Sequence, residues 1–393
     1  MKFYFAPMEG ITLYPLRNVH RELFGEGIER YYTPFLTASQ NYHFKNREKR
    51  DVLPEKNVGF DNYSEQIVPQ IMAGEAEPFL WAAAQMKKMG YNEVNINLGC
   101  PAPTVVNRHK GAGMLEDPER LEKFLDGIFE EIRRNSEVVV TERHGDRAKV
   151  SLRSNDSALK MAEAFDKSQG TLYPAISLKT RLGMSDPQEA DRLMEIYAKY
   201  PLKELIIHAR VREDYYKGRA RTEDFIRAVK VYRECGGKAD ICYNGDINSP
   251  GDYSALPELC GGGDNYDAMN MRHNIEAFTQ NDSDIKPFIS AVMIGRGLLA
   301  DPALVRRLRG GEALRAEELR LYLERLYEEY EKFIPEDRNI IFKMLEHWAF
   351  LQVHFEGCER ALKAIRKSRS KGEYRAAVNN IFANCEYITD SSC

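Results

Sequence analysis

Short apolar runs alternate with amphipathic stretches over most of the chain. The runs have the length of β-strands, and the stretches that follow them carry apolar residues at helical spacing. Eight strand–helix units in succession predict an α/β fold, a closed parallel (β/α)8 TIM barrel, with functional groups on the loops after the carboxyl end of each strand. The strands are predicted at 2–7, 30–36, 66–72, 94–98, 175–180, 204–209, 240–243 and 291–294.

Two stretches interrupt this alternation. A helix is predicted at 118–134, and residues 136–172 then fit a hairpin, with strands at 138–140 and 149–152, better than a further barrel unit. Residues 248–287 are rich in Gly, Asp and Asn. We therefore interpret 136–172 and 248–287 as insertions into the barrel.

The pattern becomes helical only after Gly310-Gly311. Breaks at Pro335, Gly357 and Gly372 separate the helical stretches, as is typical of a small helical bundle. We predict a barrel domain at 1–309 and an all-α domain at 312–393. The helices are predicted at 316–334, 338–355, 359–369 and 373–386.

The composition is that of a soluble globular protein, with 393 residues of which 43% are apolar. The amino terminus does not resemble a signal peptide and no apolar run approaches about 18 residues, so we expect a cytoplasmic protein without a membrane segment. Seven cysteines lie scattered without Cys-x-x-Cys spacing, which argues against disulfides and against a metal site. The net charge of −4 does not indicate a nucleic-acid partner, so such a site must be a local patch. No feature implies a stable protein partner, and we expect a monomer.

One strand pattern ends at a cysteine. Apolar residues alternate with asparagines over 94–98, and Gly99 and Pro101 then stop the strand on either side of Cys100. This placement predicts a thiol held at a reaction centre, whereas the alternative is a small apolar residue that fills the base of a loop. An ordinary thiol pKa of about 8.5 leaves the proton in place at neutral pH, which favours a proton donor over a covalent nucleophile.

Polar residues and glycines follow the carboxyl ends of the predicted strands. In a parallel barrel these positions share one rim, where the active sites of such enzymes lie. The set consists of Met8, Gln70, Asn97, Cys100, Lys179, Arg181, His208, Arg210, Asn244, Gly245, Asp246, Gly295, Arg296 and Gly297.

The loops after strands 7 and 8 are the usual phosphate site of these barrels. Asn244-Gly245-Asp246 and Gly295-Arg296-Gly297 follow those two strands. Glycines let backbone N–H groups approach phosphate oxygens, and Arg296 adds a bidentate cation. We therefore predict a phosphate contact here, although a Gly-Arg-Gly sequence can also be a simple turn.

Cations follow two neighbouring strands at the same spacing. Lys179 and Arg181 point to the same side of strand 5, and a cation in a barrel mouth needs an anionic partner, which a reduced flavin ring would supply. His208 and Arg210 repeat the spacing on strand 6. We interpret His208 as a phosphate or substrate contact, and a hydrogen-bonded core histidine is the alternative.

Seven short motifs occur in order along the chain: Ala6-Pro7-Met8-x-Gly10, Pro69-Gln70-Ile71, Asn97-Leu98-Gly99-Cys100-Pro101, Lys179-x-Arg181, His208-x-Arg210, Asn244-Gly245-Asp246 and Gly295-Arg296-Gly297. Together they resemble the signature series of the tRNA-dihydrouridine synthases. The match spans about residues 1–305, and the helical carboxyl-terminal domain also suits that family.

The resemblance implies reduction of the C5=C6 bond of a uridine in tRNA. NADPH would reduce FMN, the flavin would pass hydride to C6, and Cys100 would protonate C5, while Lys179 stabilises the anionic flavin. Asn97, Arg181 and Arg210 would position the flipped-out uracil. No Gly-x-Gly-x-x-Gly fingerprint is present, so NADPH would reach the flavin without a Rossmann domain. FMN would be held by Pro7, Met8, Gln70, Lys179, His208, Asn244, Gly245, Asp246, Gly295 and Arg296.

A basic cluster near the carboxyl terminus gives the best nucleic-acid signal. Such a patch can follow phosphates, and we predict that it docks tRNA, although a solvated helix face is the alternative. Two other functions stay open: an FMN barrel acting on a free pyrimidine, such as a dihydroorotate or dihydropyrimidine dehydrogenase-like enzyme, and a non-catalytic RNA-binding module. The predicted tRNA contacts are Lys363, Arg366, Lys367, Arg369 and Lys371, with Arg360, Arg375 and Tyr374 nearby.

Overall fold

The structure is a computed structural model, and it describes residues 1–142, 171–256 and 289–389. Eight parallel strands close into a barrel in sequence order, because β8 pairs with β1. This confirms the predicted TIM barrel. The strands are β1 (Lys2–Phe5), β2 (Ile28–Thr37), β3 (Ile67–Met72), β4 (Glu93–Asn97), β5 (Ala175–Arg181), β6 (Glu204–His208), β7 (Asp240–Asn244) and β8 (Ala291–Ile294).

Helices surround the barrel and continue beyond it. Those that follow or connect the strands are α1 (Tyr14–Phe24), α2 (Asn46–Val52), α3 (Tyr63–Gln66), α4 (Ala76–Lys88), α5 (Pro103–Val106), α6 (Pro118–Glu142), α7 (Glu189–Tyr197), α8 (Thr222–Glu234), α9 (Pro250–Ser254), α10 (Arg296–Ala300) and α11 (Leu304–Leu308). The carboxyl-terminal helices are α12 (Ala316–Glu331), α13 (Asp337–Leu351), α14 (Glu359–Lys367) and α15 (Lys371–Asn384). None of the described helices is long and apolar enough to cross a membrane.

Helix α6 corrects the predicted boundary of the first insertion. It runs to Glu142, so the strand predicted at 138–140 is wrong. Three consecutive valines suggested a strand, but no Gly or Pro separates them from the preceding helix, and valine costs a helix only a few tenths of a kcal/mol. The predicted strand at 149–152 and most of 248–287 lie outside the described residues.

The sequence predicted that the carboxyl-terminal segment contains helices only, and this is wrong. Two short strands, β9 (Phe355–Glu356) and β10 (Glu386–Tyr387), pair antiparallel at the ends of their neighbouring helices. Strands of two residues are too short to produce a recognisable alternation. The predicted helices 338–355 and 373–386 therefore each include the first residue of one of these strands.

A polar cluster closes the amino end of the barrel. The Glu204 carboxylate accepts hydrogen bonds from the hydroxyls of Tyr4 (2.9 Å) and Tyr32 (2.7 Å) and pairs with Arg30 at 3.4 Å. Burial raises the pKa of Glu204. Because side chains fill this end, the open pocket lies at the carboxyl ends of the strands.

The carboxyl-terminal helices pack directly on the barrel. The Tyr322 ring of α12 lies 5.7 Å from Phe24 of α1, and Phe333 lies 5.5 Å from Tyr14. The guanidinium of Arg50 stands 4.6 Å from the Phe333 ring. The helical region therefore shares buried surface with the first barrel helix, and the predicted division between 1–309 and 312–393 stays a prediction.

Trp348 generates a stability prediction for this helical region. The side chain is buried, donates its indole N–H to Tyr374 at 3.2 Å and lies beside Phe355. Trp348→Ala should lower the free energy of unfolding by about 3–5 kcal/mol, because a large cavity replaces the ring. Urea unfolding followed by circular dichroism measures this. Leu321→Ala, at an exposed site on α12, should change stability by about 0.5 kcal/mol or less, and equal effects of the two substitutions would contradict the packing described.

Candidate active site

A pocket opens at the carboxyl ends of the strands and holds about 1020 Å³ of space, including the part open to solvent. The predicted rim residues line it, with the exceptions of Arg210 and Gly297. The lining residues are Ala6, Pro7, Met8, Glu9, Pro34, Phe35, Gln70, Asn97, Gly99, Cys100, Pro101, Lys179, Arg181, His208, Tyr216, Asn244, Gly245, Asp246, Gly295 and Arg296.

Asn97 fixes the turn that presents Cys100. It is the last residue of β4, and its side-chain oxygen accepts the backbone N–H groups of Gly99 (3.2 Å) and Cys100 (3.0 Å). The side-chain nitrogen of Asn97 donates to Gln70 at 2.6 Å. The amide of Asn97 therefore acts as the local cap of the strand, a role that the sequence analysis did not assign to it.

A chain of amide hydrogen bonds supports this turn inside the barrel. Gln70 donates to the side-chain oxygen of Asn95 (2.8 Å), and Asn95 donates to the Ser177 hydroxyl (3.0 Å). All three side chains are buried, so each bond replaces lost hydration and holds its neighbour's orientation. The alternation that places Asn97 on the inner face of β4 also places Asn95 there.

The Cys100 thiol keeps its proton. Burial raises its pKa and the carboxylate of Glu9 adds to the rise, although the nearby charges of Arg181 and Lys179 oppose it. Gly111 is needed beside it because a Cβ at that residue would stand 3.0 Å from the Cys100 Cβ, and its φ is +55°. The loop after Cys100 therefore folds back tightly and leaves a protonated thiol in the pocket wall.

Lys179 is the one pocket cation without a partner among the described residues. Its ammonium makes no hydrogen bond and no ion pair with them, and burial followed by the charge of Arg181 lowers its pKa to about 7. A cation held this way gains most from an anion that enters the pocket.

Arg181 holds two loops against the end of β5. Its guanidinium donates to the carbonyls of Gly99 (2.8 Å), Val211 (3.1 Å) and Tyr215 (3.2 Å). The side chain is buried, and burial lowers its pKa to about 10. Arg181 is thus a structural tie that also lines the pocket.

Arg210 does not reach the pocket wall. It is fully buried and forms a bidentate pair with Asp246, and it also donates to the Gly218 carbonyl at 2.7 Å. Asp246 accepts further bonds from Arg296 (2.7 Å) and the Ala220 N–H (3.0 Å). Two arginines share one carboxylate, so this cluster carries one net positive charge beside the pocket.

His208 is a neutral ring in a positive environment. Burial, and then the charges of Arg181, Lys179, Arg210 and Arg296, hold its pKa well below the usual value. Its Nε2 lies 3.5 Å from an Arg210 nitrogen. His208 can therefore offer a ligand a neutral hydrogen bond, and not the charged phosphate contact that a protonated ring would make.

The sequence analysis missed four pocket residues, Glu9, Pro34, Phe35 and Tyr216, and two of them have polar groups near the pocket cations. Tyr216 is 44% exposed at the pocket, with its ring 4.9 Å from the guanidinium of Arg296 and 5.7 Å from that of Arg181. Glu9, paired with Arg47 at 2.8 Å, has a pKa raised by burial. Glu9 occupies the unspecified position of Ala6-Pro7-Met8-x-Gly10, so a polar residue at that position was the available signal.

The predicted tRNA contacts divide into two groups. Lys371 is ion-paired with Glu331, and Arg375, its basic neighbour, is paired with Glu324, each at 2.7–2.8 Å. Tyr374 is buried. The remaining basic side chains are exposed and form no ion pair with the described residues; they are Arg360, Lys363, Arg366, Lys367 and Arg369.

The structure requires glycine at position 245 for a different reason from the one that the sequence predicted. A Cβ on Gly245 would stand 2.1 Å from the Tyr243 hydroxyl, so the position is closed by protein and not only by a ligand. A Cβ on Gly295 would have more room, with its nearest neighbours at 3.4 Å and 3.6 Å.

Among residues 1–142, 171–256 and 289–389, no group of three or more His, Cys, Asp or Glu side chains could hold a metal ion.

The pKa of Lys179 gives a test of the pocket's charge. In ligand-free protein, an amine-acylating reagent should reach half of its maximal rate at Lys179 near pH 7, because the neutral amine predominates above its lowered pKa. A lysine model peptide gains rate up to pH of about 10. Mass spectrometry of the labelled peptides over a pH series measures both. A Lys179 rate that rises in parallel with the model peptide would refute the desolvated, unpaired ammonium.

Comparison with known proteins finds several relatives with similar descriptions. A family model described as dihydrouridine synthase (Dus) matches residues 4–167. The tRNA-dihydrouridine(16) synthase of Ralstonia nicotianae is 24% identical over 78% of this chain and 72% of its own length. The probable tRNA-dihydrouridine synthase 2 of Bacillus subtilis is 22% identical over 96% and 93%. A solved morphinone reductase complex with tetrahydroNAD is 12% identical, covers 80% of this chain and 88% of its own, and has a TM-score of 0.39, too remote to bear on function. By this family model and these curated relatives, the chain is similar to the dihydrouridine synthases.

Proposed function

We propose that this chain is an FMN-dependent tRNA-dihydrouridine synthase that uses NADPH as its reductant. The observation that carries the proposal is one pocket in which a protonated Cys100 thiol and an unpaired Lys179 ammonium lie together. The first group suits proton donation and the second suits an anionic ring. Their position at the carboxyl ends of the barrel strands is where such enzymes hold their substrates.

The pocket suits FMN in its charge. Lys179, Arg181 and the Arg210–Asp246–Arg296 cluster leave an excess of positive charge, which adds to burial in lowering the pKa of His208. Bound FMN would supply hydride for uracil C6 after its reduction by NADPH. The residues that would hold it are Pro7, Met8, Gln70, Lys179, His208, Asn244, Gly245, Asp246, Gly295 and Arg296.

Cys100 would deliver the proton to uracil C5. Its raised pKa keeps the proton on sulfur until the base is in place, and Asn97 fixes the backbone from which the thiol projects. The thiolate left behind would lie near the charges of Lys179 and Arg181, which lower the cost of its formation. One hydride and one proton then saturate the C5=C6 bond.

The uracil contacts are proposed with one change from the sequence analysis. Asn97 and Arg181 line the pocket and stay candidates for binding the base. Arg210 acts instead as a positioning residue, since it orients Asp246 and through it Arg296. The exposed ring of Tyr216, beside Arg181 and Arg296, is an added candidate for contact with a flipped-out nucleotide.

Deleting the gene provides the direct test. Transfer RNA from cells that lack this protein should lose dihydrouridine at one or more positions, as mapped by mass spectrometry, and the wild-type gene should restore it. The purified protein should bind FMN with the yellow absorbance of a flavoprotein. Unchanged dihydrouridine in the deletion strain would refute the proposed function.

Cys100→Ala should bind FMN as the wild type does but slow dihydrouridine formation by about 10²–10⁴-fold, because the proton donor is lost. Cys235→Ala, at an exposed thiol on the barrel surface, is the matched control and should keep full activity. Single-turnover formation of dihydrouridine in unmodified tRNA measures both. Wild-type turnover by Cys100→Ala would remove the cysteine from the mechanism.

We further propose that Lys363, Arg366, Lys367 and Arg369 dock the tRNA backbone, with Lys371 at the edge because it is already paired. Changing Arg366, Lys367 and Arg369 together to Gln should weaken tRNA binding and reduce the slope of log K against log salt by about 2–3, since each phosphate contact contributes roughly 0.7–0.9. The control carries the same charge change at Lys56, Lys88 and Lys230, exposed lysines on the barrel. Equal slopes for the two triple variants would contradict the docking patch.

A further inference from the structure

Helix α13 presents an exposed phenylalanine. Phe342 is 48% exposed, one of few large apolar side chains on the described surface with that much exposure. Its neighbour Trp348, on the same helix, is buried in the core. The function proposed above assigns no role to Phe342, although exposed aromatic rings often mark contact surfaces.

The residue after Phe342 contacts the loop that carries three of the pocket residues. Lys343 donates from its ammonium to the backbone carbonyl of Gly10 at 3.0 Å. Gly10 follows directly on Pro7, Met8 and Glu9, which line the pocket. This end of the exposed face of α13 therefore lies beside the pocket mouth.

The residue one turn before Phe342 reaches the basic cluster. Arg338 donates to the backbone carbonyls of Arg366 (3.0 Å) and Ser368. These carbonyls belong to the end of α14 and the turn after it, where Arg366, Lys367 and Arg369 are exposed. Phe342 thus lies between the pocket and the patch proposed to hold phosphates.

Arg338 also fixes the aromatic ring. Its guanidinium carbon lies 4.4 Å from the centroid of Phe342, at the i, i+4 spacing that brings side chains together on a helix. The hydrogen bonds to α14 hold the guanidinium, and the guanidinium in turn covers one part of the ring. The pair is a preformed planar surface with a positive charge beside it.

We propose that Phe342, held by Arg338, is a stacking contact for a base of the tRNA substrate, between the uridine in the pocket and the phosphates on the basic patch. Proteins recognise unpaired RNA bases by stacking them on aromatic rings and guanidinium planes. On the protein surface, the Phe342 ring lies between the pocket and the exposed cations. In the tRNA, a neighbouring base lies in the same way between the reacting base and the backbone phosphates. This proposal rests on the proposed function and extends its substrate-binding surface.

The experiment uses the FMN-loaded, full-length protein and bulk tRNA from cells that lack it. Phe342→Ala should weaken tRNA binding about tenfold, the size expected for the loss of one stacked base. Phe342→Tyr should bind within about twofold of the wild type. Phe342→Leu should bind tRNA as weakly as Phe342→Ala does, because leucine has apolar volume but no planar face. FMN absorbance should be the same in all of these variants.

Val58→Ala is the matched control. Val58 is 54% exposed, and the adjacent Gly59 carbonyl accepts from Arg21 in the last turn of α1, a turn that lies at the end of the barrel away from the pocket. Its tRNA binding should equal that of the wild type.

The outcomes separate this contact from the proposed function. If the wild type forms dihydrouridine and Phe342→Ala binds tRNA equally well, the stacking contact is refuted and the proposed function stands. If Phe342→Leu binds tRNA as tightly as the wild type does, the ring contributes only apolar contact, and the stacking contact is again refuted. If Phe342→Ala changes the sedimentation of the free protein but not tRNA affinity, the face joins copies of this chain, which also overturns the proposal. A wild type that forms no dihydrouridine would refute the proposed function itself.

Discussion

Four cationic side chains lie together at the carboxyl ends of the barrel strands: Lys179, Arg181, Arg210 and Arg296. Asp246 neutralises part of this charge, and backbone carbonyls accept hydrogen bonds from Arg181 and Arg210. Lys179 receives neither kind of compensation from the described residues, and burial followed by the charge of Arg181 lowers its pKa. Burial, and then the charge of these four cations, hold the pKa of His208 well below its usual value. A pocket built in this way is arranged for an anion, and its other features follow from how the surrounding loops hold these charges.

The barrel and most of its rim could be predicted from the sequence because both depend on local alternation. Lys179 and Arg181 both belong to β5, so their shared direction follows from strand geometry. His208 and Arg210 have the same spacing, but β6 ends at His208. Arg210 therefore lies beyond the strand, where alternation no longer sets the direction of a side chain. Its guanidinium pairs with Asp246 and does not line the pocket.

Other features depend on contacts that sequence spacing does not contain. The acidic partners of Lys371 and Arg375 come from α12, far earlier in the chain, so a basic cluster that looked uniform is partly neutralised. Tyr216 stands in a loop well past the end of its strand and was outside the positions searched. Helix α6 continued through its valines because no residue stopped it. The first two features depend on positions distant in the chain, whereas the course of α6 depends on the absence of a local stop signal.

The contact between Lys343 and Gly10 joins positions 333 residues apart. Gly10 belongs to the loop that carries Met8 and Glu9, and β1, from which this loop emerges, completes its pairing only when β8 lies beside it. Synthesis proceeds from the amino end, so the ribosome must make residues from both ends of this chain before the first loop of the pocket is fixed. A nascent chain consequently has the thiol of Cys100 long before it has the finished surroundings that control it.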